Sequence, residues 1–198
     1  MSSTNSGLTL VLASTSRYRR ELLERLKLPF QTVSPGIDET PLSMEAPETT
    51  AGRLALAKAQ AAQARFPRAL IIGSDQVAFC EGVRLDKPGD HAGAHSQLRH
   101  SAGKSVSFIT AIALLNTESG RIQSTQVSTH VKFRKLTDGE IERYLHAEPA
   151  YDCAGSAKAE GLGISLIESI QSSDPTALIG LPLIALSAML RNESQPVP

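Results

Sequence analysis

The first candidate site for chemistry is a turn rich in hydroxyl and arginine side chains at residues 14–20, directly after the apolar residues 8–13. Residues 8–13 are predicted to form a buried strand, and residues 17–28 a helix with Ser16 as its N-cap. Backbone N–H groups at a helix N-terminus bind anions, and the helix dipole assists. The turn therefore indicates a phosphate site. A capped helix with a charged surface is the alternative, and the pattern leaves both open.

A second candidate site contains carboxylates. Asp75 comes just after the predicted buried strand at residues 69–73, and Asp38-Glu39 lies in the loop after a predicted strand at 30–33. Ligands of open α/β sheets collect outside the carboxyl ends of the strands. Carboxylates in such a place suit Mg²⁺ or Mn²⁺, which take oxygen ligands and bridge substrate phosphates. A turn aspartate with a separate pair of loop acids is the simpler interpretation of each segment alone.

Two lysines add positive charge to these acids. Lys58 lies in a predicted helix at residues 48–66, and Lys87 precedes Pro88 in a predicted loop. A single lysine is usually a solvated surface residue. Phosphoryl chemistry, however, needs a metal that bridges oxygens, cations that hold charge and a base for water. The acids, lysines and anion-binding turn together favour that chemistry.

Other reactive residues are weaker candidates. His91 and His95 are spaced for one face of a helix predicted at residues 91–100, but no third zinc ligand accompanies them in the sequence. Cys153 lacks an evident base and is interpreted as a structural thiol. The chain has neither a Walker-A loop nor a G-x-S-x-G elbow.

The predicted elements indicate a mixed α/β fold, with strand and helix alternating before a β-hairpin. The later predictions are a hairpin at 106–116 and 122–133, a helix capped by Thr137 and Glu140, a strand at 161–170 and a helix from Pro182. We predict a mixed β-sheet flanked by helices, with two lobes around a cleft. The prediction is a single domain at residues 8–192, with flexible termini at 1–7 and 193–198.

Composition narrows the class of protein. The 198 residues carry 20 basic and 20 acidic side chains, so the net charge is zero, and only 4% are aromatic. Neutral charge and few aromatic rings argue against binding to nucleic acid or to an anionic membrane surface. Two cysteines, no signal peptide and no apolar run of about 20 residues lead us to expect a cytoplasmic protein.

Seven segments resemble, in order, the Maf-like nucleotide pyrophosphatases. They are residues 12–23 (LASTSRYRRELL), 38–41 (DETP), 56–59 (LAKA), 72–77 (IGSDQV), 87–88 (KP), 154–161 (AGSAKAEG) and 179–182 (IGLP). Each motif is modest alone, but seven in family order, spread over about residues 8–191, are highly specific.

The resemblance implies a fold similar to that of inosine-triphosphate pyrophosphatases, a divalent cation, cleavage between the α- and β-phosphates, a small-molecule nucleotide substrate and a homodimer. It implies that Asp75 accepts the proton of the attacking water and that Glu39, with Asp75, holds the metal. Residues that would hold the triphosphate are Ser14, Arg19, Lys58 and Lys87.

Three positions match the branch of this family that acts on 7-methyl-GTP. They are Tyr18 in the first motif, Gln76 after the presumed catalytic aspartate, and Glu160 after the AGSAK segment. The branch that acts on dTTP and UTP is expected to carry Arg, Thr and Gln there. Three positions depart from the family pattern: Arg17 replaces a proline and removes no ligand, Ala57 replaces an acid whose loss weakens a metal or lysine contact, and Ala111 replaces a glycine. We expect none of them to abolish activity.

Two classes of function remain. The resemblance and the retained Asp75, Glu39, Lys58 and Lys87 favour an enzyme. The alternative is a nucleotide-binding regulatory protein, since this family is associated with inhibition of septum formation in cell division.

Overall fold

The computed structural model describes residues 7–197. In that range the helices and the strands are, in chain order, β1 Thr9–Ala13, α1 Arg17–Glu24, β2 Gln31–Val33, α2 Pro47–Ala61, β3 Ala69–Cys80, β4 Val83–Arg84, α3 His91–Ser101, β5 Ser105–Asn116, β6 Ile122–Phe133, α4 Asp138–Ala147, β7 Ile167–Ser172 and α5 Leu183–Asn192. Short 3₁₀ turns lie at Gln63–Arg65, Ala154–Ser156, Leu162–Leu166 and Ala177–Ile179.

The strands form one mixed sheet, which confirms the predicted fold class. Its order is β2-β1-β3-β5-β6-β7, and β4 pairs with β3. Strand β1 is parallel to both β2 and β3, with Val11 opposite Gln31 on one side and Ile71 on the other. Strand β7 is antiparallel to β6. The carboxyl ends of β1 and β2 therefore lie together beside the middle of β3, which continues to Cys80.

Alternation along the strands divides the core between two faces of the sheet. Leu70 and Ile72 pack in a cluster with residues of α1 and α5, whereas Ile71 packs in another cluster with Ala59 and Ala62 of α2 and its end. Successive strand side chains point to opposite faces. The same alternation continues into Ser74, Asp75 and Gln76, so it decides on which face of the sheet each of these polar side chains lies.

The chain divides into two compact units. The first contains residues 1–76, 110–127 and 174–198, and the second contains residues 77–109 and 128–173. That residues 8–192 form a single domain stays a prediction. The predicted flexible segment 1–7 lies, except for Gly7, outside the described residues. At the other end, Glu193 accepts hydrogen bonds from Asn116 and Gln123, so ordered packing extends past residue 192.

Several element boundaries differ from the predictions, among them that of α2, which ends at Ala61 rather than at Phe66. Helix α1 ends at Glu24 rather than near Leu28, because Lys27 adopts a left-handed conformation (φ 55°) just before Pro29. Strand β3 continues to Cys80, so Asp75 lies inside a strand rather than past its end. The strand predicted at 161–170 begins only at Ile167, because residues 162–166 form a 3₁₀ turn.

The helices are also too short or too polar to cross a bilayer: within residues 7–197, none has the length and apolar character that a membrane span requires.

Candidate active site

Lys58 joins two acids that the sequence placed in separate segments. Its Nζ donates to Asp75 Oδ1 and to Glu39 Oε2, each at 2.7 Å. The side chains of Lys58 and Asp75 are only 4% and 8% exposed, whereas that of Glu39 is 55% exposed. A buried carboxylate and a buried ammonium compensate each other, and the exposed Glu39 marks the side of the pair open to solvent.

Close packing of α2 on β3 places Lys58 beside Asp75. Gly73 faces α2, and a Cβ atom there would lie 2.1 Å from the Ala55 carbonyl oxygen and 2.7 Å from the Ala59 nitrogen. Only a glycine on the strand allows that approach. The small side chains of Ala55 and Ala59, both buried, complete the contact. This contact fixes the distance over which the Lys58 side chain reaches the strand.

The turn after β1 takes the form that the sequence predicts. Ser16 is the N-cap of α1, and its side chain accepts from the Arg19 backbone N–H at 3.4 Å. Ser14 Oγ accepts from Ser16 N at 3.1 Å and lies 3.5 Å from a terminal nitrogen of Arg19. The N-cap prediction is confirmed. Ser14 and the Arg19 guanidinium lie together at the start of the helix, an arrangement that suits an anionic ligand.

Arg19 lies in the electrostatic field of the carboxylates. Burial lowers the pKa of the Arg19 guanidinium, while the negative charges of Asp75 and Glu39 oppose that shift. An arginine stays protonated in proteins, so its positive charge is retained beside the acids. Ser14, Arg19, Lys58, Asp75 and Glu39 all belong to the first compact unit.

Residues 174–182, which we call the 174–182 loop, meet the opposite face of β3. The Ala177 and Leu178 carbonyl oxygens accept from Gln76 Nε2 at 3.0 and 3.1 Å, and the same nitrogen lies 2.9 Å from Thr110 Oγ1. The Gly180 carbonyl oxygen accepts from Ser74 Oγ at 2.9 Å and from Arg19 Nε at 2.8 Å. The amide nitrogen of Gln76 is thus engaged inside the protein.

The other residues expected to read the base have different surroundings. The Tyr18 hydroxyl accepts from Arg17 at 2.8 Å, and the Arg17 guanidinium carbon lies 4.7 Å from the ring centroid. Glu160 and Lys87 are exposed residues of the second unit. The Lys158 ammonium donates to the Pro149 carbonyl oxygen at 3.0 Å and lies 3.8 Å from Asp152. The ammonium of Lys158 thus contacts Pro149 and Asp152 rather than Glu160. A surface ion pair between Glu160 and Lys158 is the alternative to a role for Glu160 in base recognition.

The histidines of α3 face a glutamate. His91 Nε2 lies 2.9 Å and His95 Nε2 3.6 Å from the Glu142 carboxylate, and His146 Nε2 lies 3.5 Å from it. Across residues 7–197, however, no three histidine, cysteine or acidic side chains are arranged to hold a metal ion. The cluster is a surface network between α3 and α4, as the sequence interpretation favoured.

Glu39 and Asp75 fit a divalent cation by their chemistry. Both offer carboxylate oxygens that reach the same ammonium group, so both reach one small region. Mg²⁺ is commonly bound through one or two carboxylates, with substrate phosphates and water completing its coordination. The donor set is too small for a site made by protein alone but suits an ion that arrives with a phosphate substrate.

Sequence reasoning missed Asp174. This residue is 2% exposed, and its carboxylate accepts hydrogen bonds from the Ile184 backbone nitrogen at 2.7 Å and the Ala185 nitrogen at 3.3 Å. It caps α5 from outside the helix, and the adjacent Pro182 provides no side-chain cap. A capping carboxylate that lies several residues before its helix, across an irregular loop, leaves no recognisable motif in the sequence. The glycine at position 180 was the one local sequence signal of an unusual backbone, and its φ in the structure is 117°.

The mixed sheet and this edge define an α/β protein with an anion-binding turn beside a lysine-bridged pair of acids. A model of the Maf-like proteins matches residues 9–193, and the chain belongs to that family.

Three relatives share the name 7-methyl-GTP pyrophosphatase. The relative from Polaromonas sp. is 58% identical over 92% of this chain and 83% of its own length. Those from Ralstonia nicotianae and Thiobacillus denitrificans are each 55% identical, over 95% and 98% of this chain and 97% and 96% of their own. The suspected family and branch are thereby confirmed.

Proposed function

We propose that this protein hydrolyses 7-methyl-GTP to 7-methyl-GMP and diphosphate. The observation that carries the proposal is the contact of Lys58 Nζ with both Asp75 and Glu39 at the carboxyl edge of the parallel strands. That arrangement brings a proton acceptor, a cation and an exposed carboxylate to the place where α/β proteins bind phosphate ligands. The names of relatives at 55–58% identity agree with it.

The residues divide the work of the reaction among them. Asp75 accepts a proton from the water that attacks the triphosphate, and its burial keeps competing water away. Lys58 and Arg19 stabilise the negative charge that develops on the phosphate oxygens. Ser14 donates a hydrogen bond from its hydroxyl group to a phosphate oxygen. The family resemblance adds Lys87 as a fourth phosphate ligand in this proposal.

A divalent cation belongs to the proposal. Glu39 and Asp75 would hold it, and it would neutralise charge on the phosphate oxygens. The ammonium of Lys58 would then pair with phosphate rather than with both carboxylates. We also propose that the enzyme is a homodimer and that it lies in the cytoplasm. Light scattering after size-exclusion chromatography measures the oligomeric state.

The regulatory alternative is less well supported. A protein that only binds nucleotides needs cations for the phosphates, but it has no use for a buried carboxylate placed to take a proton. Asp75 is buried and paired, and burial of its charge carries a desolvation cost that a catalytic role would explain. The enzyme interpretation accounts for that feature.

EDTA should stop the reaction, and Mg²⁺ or Mn²⁺ should restore it, because a divalent cation is needed to offset the negative charge of the two carboxylates and the triphosphate together. The products should be the monophosphate and pyrophosphate. They are measured by phosphate release with and without added inorganic pyrophosphatase, since only pyrophosphate needs that enzyme to give signal. Release of orthophosphate without it, together with a nucleoside diphosphate, would contradict the proposed bond.

The purified enzyme should have a higher kcat/KM for 7-methyl-GTP than for GTP, dTTP or UTP. The methylated guanine carries a delocalised positive charge, and a Tyr18 ring that already attracts the Arg17 guanidinium would gain about 1–2 kcal/mol from it. Glu160 adds an acceptor for the guanine N1–H and amino groups. Gln76 has only its Oε1 to offer a base, because its Nε2 is engaged.

The glutamate contribution can be tested separately. Glu160→Gln should narrow the preference for 7-methyl-GTP over GTP, while Glu168→Gln, at another exposed glutamate of the second unit, should leave the ratio unchanged. The ratio of kcat/KM values is the measurement. A wild-type enzyme that prefers dTTP or UTP would overturn the substrate assignment but not the pyrophosphatase activity.

A further inference from the structure

The 174–182 loop is held at both ends by polar contacts. At its start, Asp174 Oδ2 accepts from the Ile184 and Ala185 backbone nitrogens in the first turn of α5. Asp174 Oδ1 lies 3.1 Å from Thr176 N and 2.7 Å from Thr176 Oγ1. Both oxygens of one buried carboxylate are therefore engaged, one with the helix and one with the loop.

Thr176 carries this restraint to the end of the loop. Its Oγ1 lies 2.9 Å from the Leu181 carbonyl oxygen and accepts from the Leu183 backbone nitrogen at 2.8 Å. The chain between Thr176 and Leu181 is thus closed into a short bracket. Its carbonyl oxygens at Ala177, Leu178 and Gly180 are the ones that meet Gln76, Thr110, Ser74 and Arg19.

Arg19 depends on this bracket for its orientation. The Gly180 carbonyl oxygen accepts from Arg19 Nε at 2.8 Å, a shorter contact than the 3.5 Å between a terminal nitrogen of Arg19 and Ser14 Oγ. A guanidinium held through Nε has its plane fixed, so the direction of its two terminal nitrogens is fixed as well. Those nitrogens are the donors that a phosphate would take in a bidentate contact.

We infer that Asp174 is a positioning residue that orients Arg19 for the triphosphate through the 174–182 loop. This inference rests on the proposed function, because it assumes that Arg19 binds the substrate's phosphates. Asp174 itself touches no substrate. Its carboxylate fixes the bracket, the bracket fixes the Gly180 carbonyl oxygen, and that oxygen fixes the plane of the guanidinium.

Asp174→Asn is the direct test, because an amide cannot accept from both sets of donors: one N–H group would face the amide NH₂. We expect kcat/KM to fall by about tenfold, as loss of charged hydrogen bonds allows. The same variant should weaken binding of α,β-methylene-GTP, a nucleotide whose α–β bridge cannot be hydrolysed. Thr176→Val keeps the Asp174 carboxylate but removes the bridging hydroxyl, and it should also weaken binding of this analogue.

A double-mutant cycle separates positioning from general destabilisation. Arg19→Lys removes the Nε–Gly180 contact, so Asp174→Asn should weaken analogue binding in the wild-type background but add little in the Arg19→Lys background. Thr137→Ala, which removes the capping box of α4, is the matched control: it should lower the urea midpoint without changing binding.

Several outcomes would overturn the inference. One is a folded Asp174→Asn variant that binds the analogue as tightly as the wild type. Another is a double variant whose loss of analogue affinity equals the product of the losses in Asp174→Asn and Arg19→Lys. If Asp174→Asn does not fold, wild-type binding by Thr176→Val would overturn it equally. Failure of the proposed function is distinct, since then the wild-type protein itself would not hydrolyse 7-methyl-GTP, whether or not it bound the analogue.

Discussion

Replacing Asp75 by asparagine should reduce turnover by about 10²–10⁴-fold and leave the fold intact. Asparagine has nearly the same shape, but it cannot accept the proton of the attacking water. Loss of a carboxylate ligand for the divalent cation would add to the effect. Steady-state kcat with 7-methyl-GTP is the measurement, and circular dichroism with urea unfolding establishes that the variant is folded.

A matched control for Asp75→Asn is Asp138→Asn, at an exposed aspartate whose partner is Arg99 on the surface. That variant should keep wild-type turnover. A folded Asp75→Asn enzyme with a rate near that of the wild type would show that Asp75 is only a structural strand residue, and the assignment of the proton acceptor would be wrong.

Replacing Lys58 by methionine should have the second largest effect, because this single ammonium serves two carboxylates. We expect kcat/KM to fall by about 10²–10³-fold, as is usual when a preorganised charged donor is removed. Removing one partner of a buried ion pair also leaves Asp75 uncompensated, and we expect the free energy of unfolding at pH 7 to fall by about 3 kcal/mol. Kinetics and urea unfolding measure the two effects.

Lys135→Met provides the comparison for Lys58→Met, since Lys135 is an exposed lysine of the second unit. It should change neither kcat/KM nor the urea midpoint appreciably. If Lys58→Met retained wild-type kcat/KM, the lysine would be a structural link between α2 and β3, and the phosphate assignment would have to be abandoned.

The parts of the candidate site that could be predicted from the sequence are those whose geometry is set by a residue and its near neighbours in the chain. Ser16 as the N-cap of α1 and Thr137 with Glu140 as the capping box of α4 are local features, and the structure contains both. The grouping of Asp75, Glu39 and Lys58 also followed, because parallel strands end at one edge and the helix between them must pack back on the sheet.

The remaining features depend on contacts that no local pattern encodes. That β3 extends to Cys80 follows from its pairing with neighbouring strands rather than from its own residues. The engagement of Gln76 with the 174–182 loop joins residues about a hundred positions apart. Asp174 serves a helix whose first residue is Leu183, so its role appears only when the loop is folded.

The alternation of β3 has an evolutionary consequence. Asp75 faces α2, while Ser74 and Gln76 face the 174–182 loop, so a substitution at residue 76 alters the loop without placing a new atom against Asp75. On the roles proposed for these residues, nucleotide preference can diverge in a lineage by point substitution at residue 76 while Asp75 is left alone. Deleting one residue from β3 would instead exchange the two faces and turn a carboxylate toward backbone carbonyl oxygens. The sequence of β3 can therefore change by substitution, whereas an insertion or a deletion in this strand would disrupt the site.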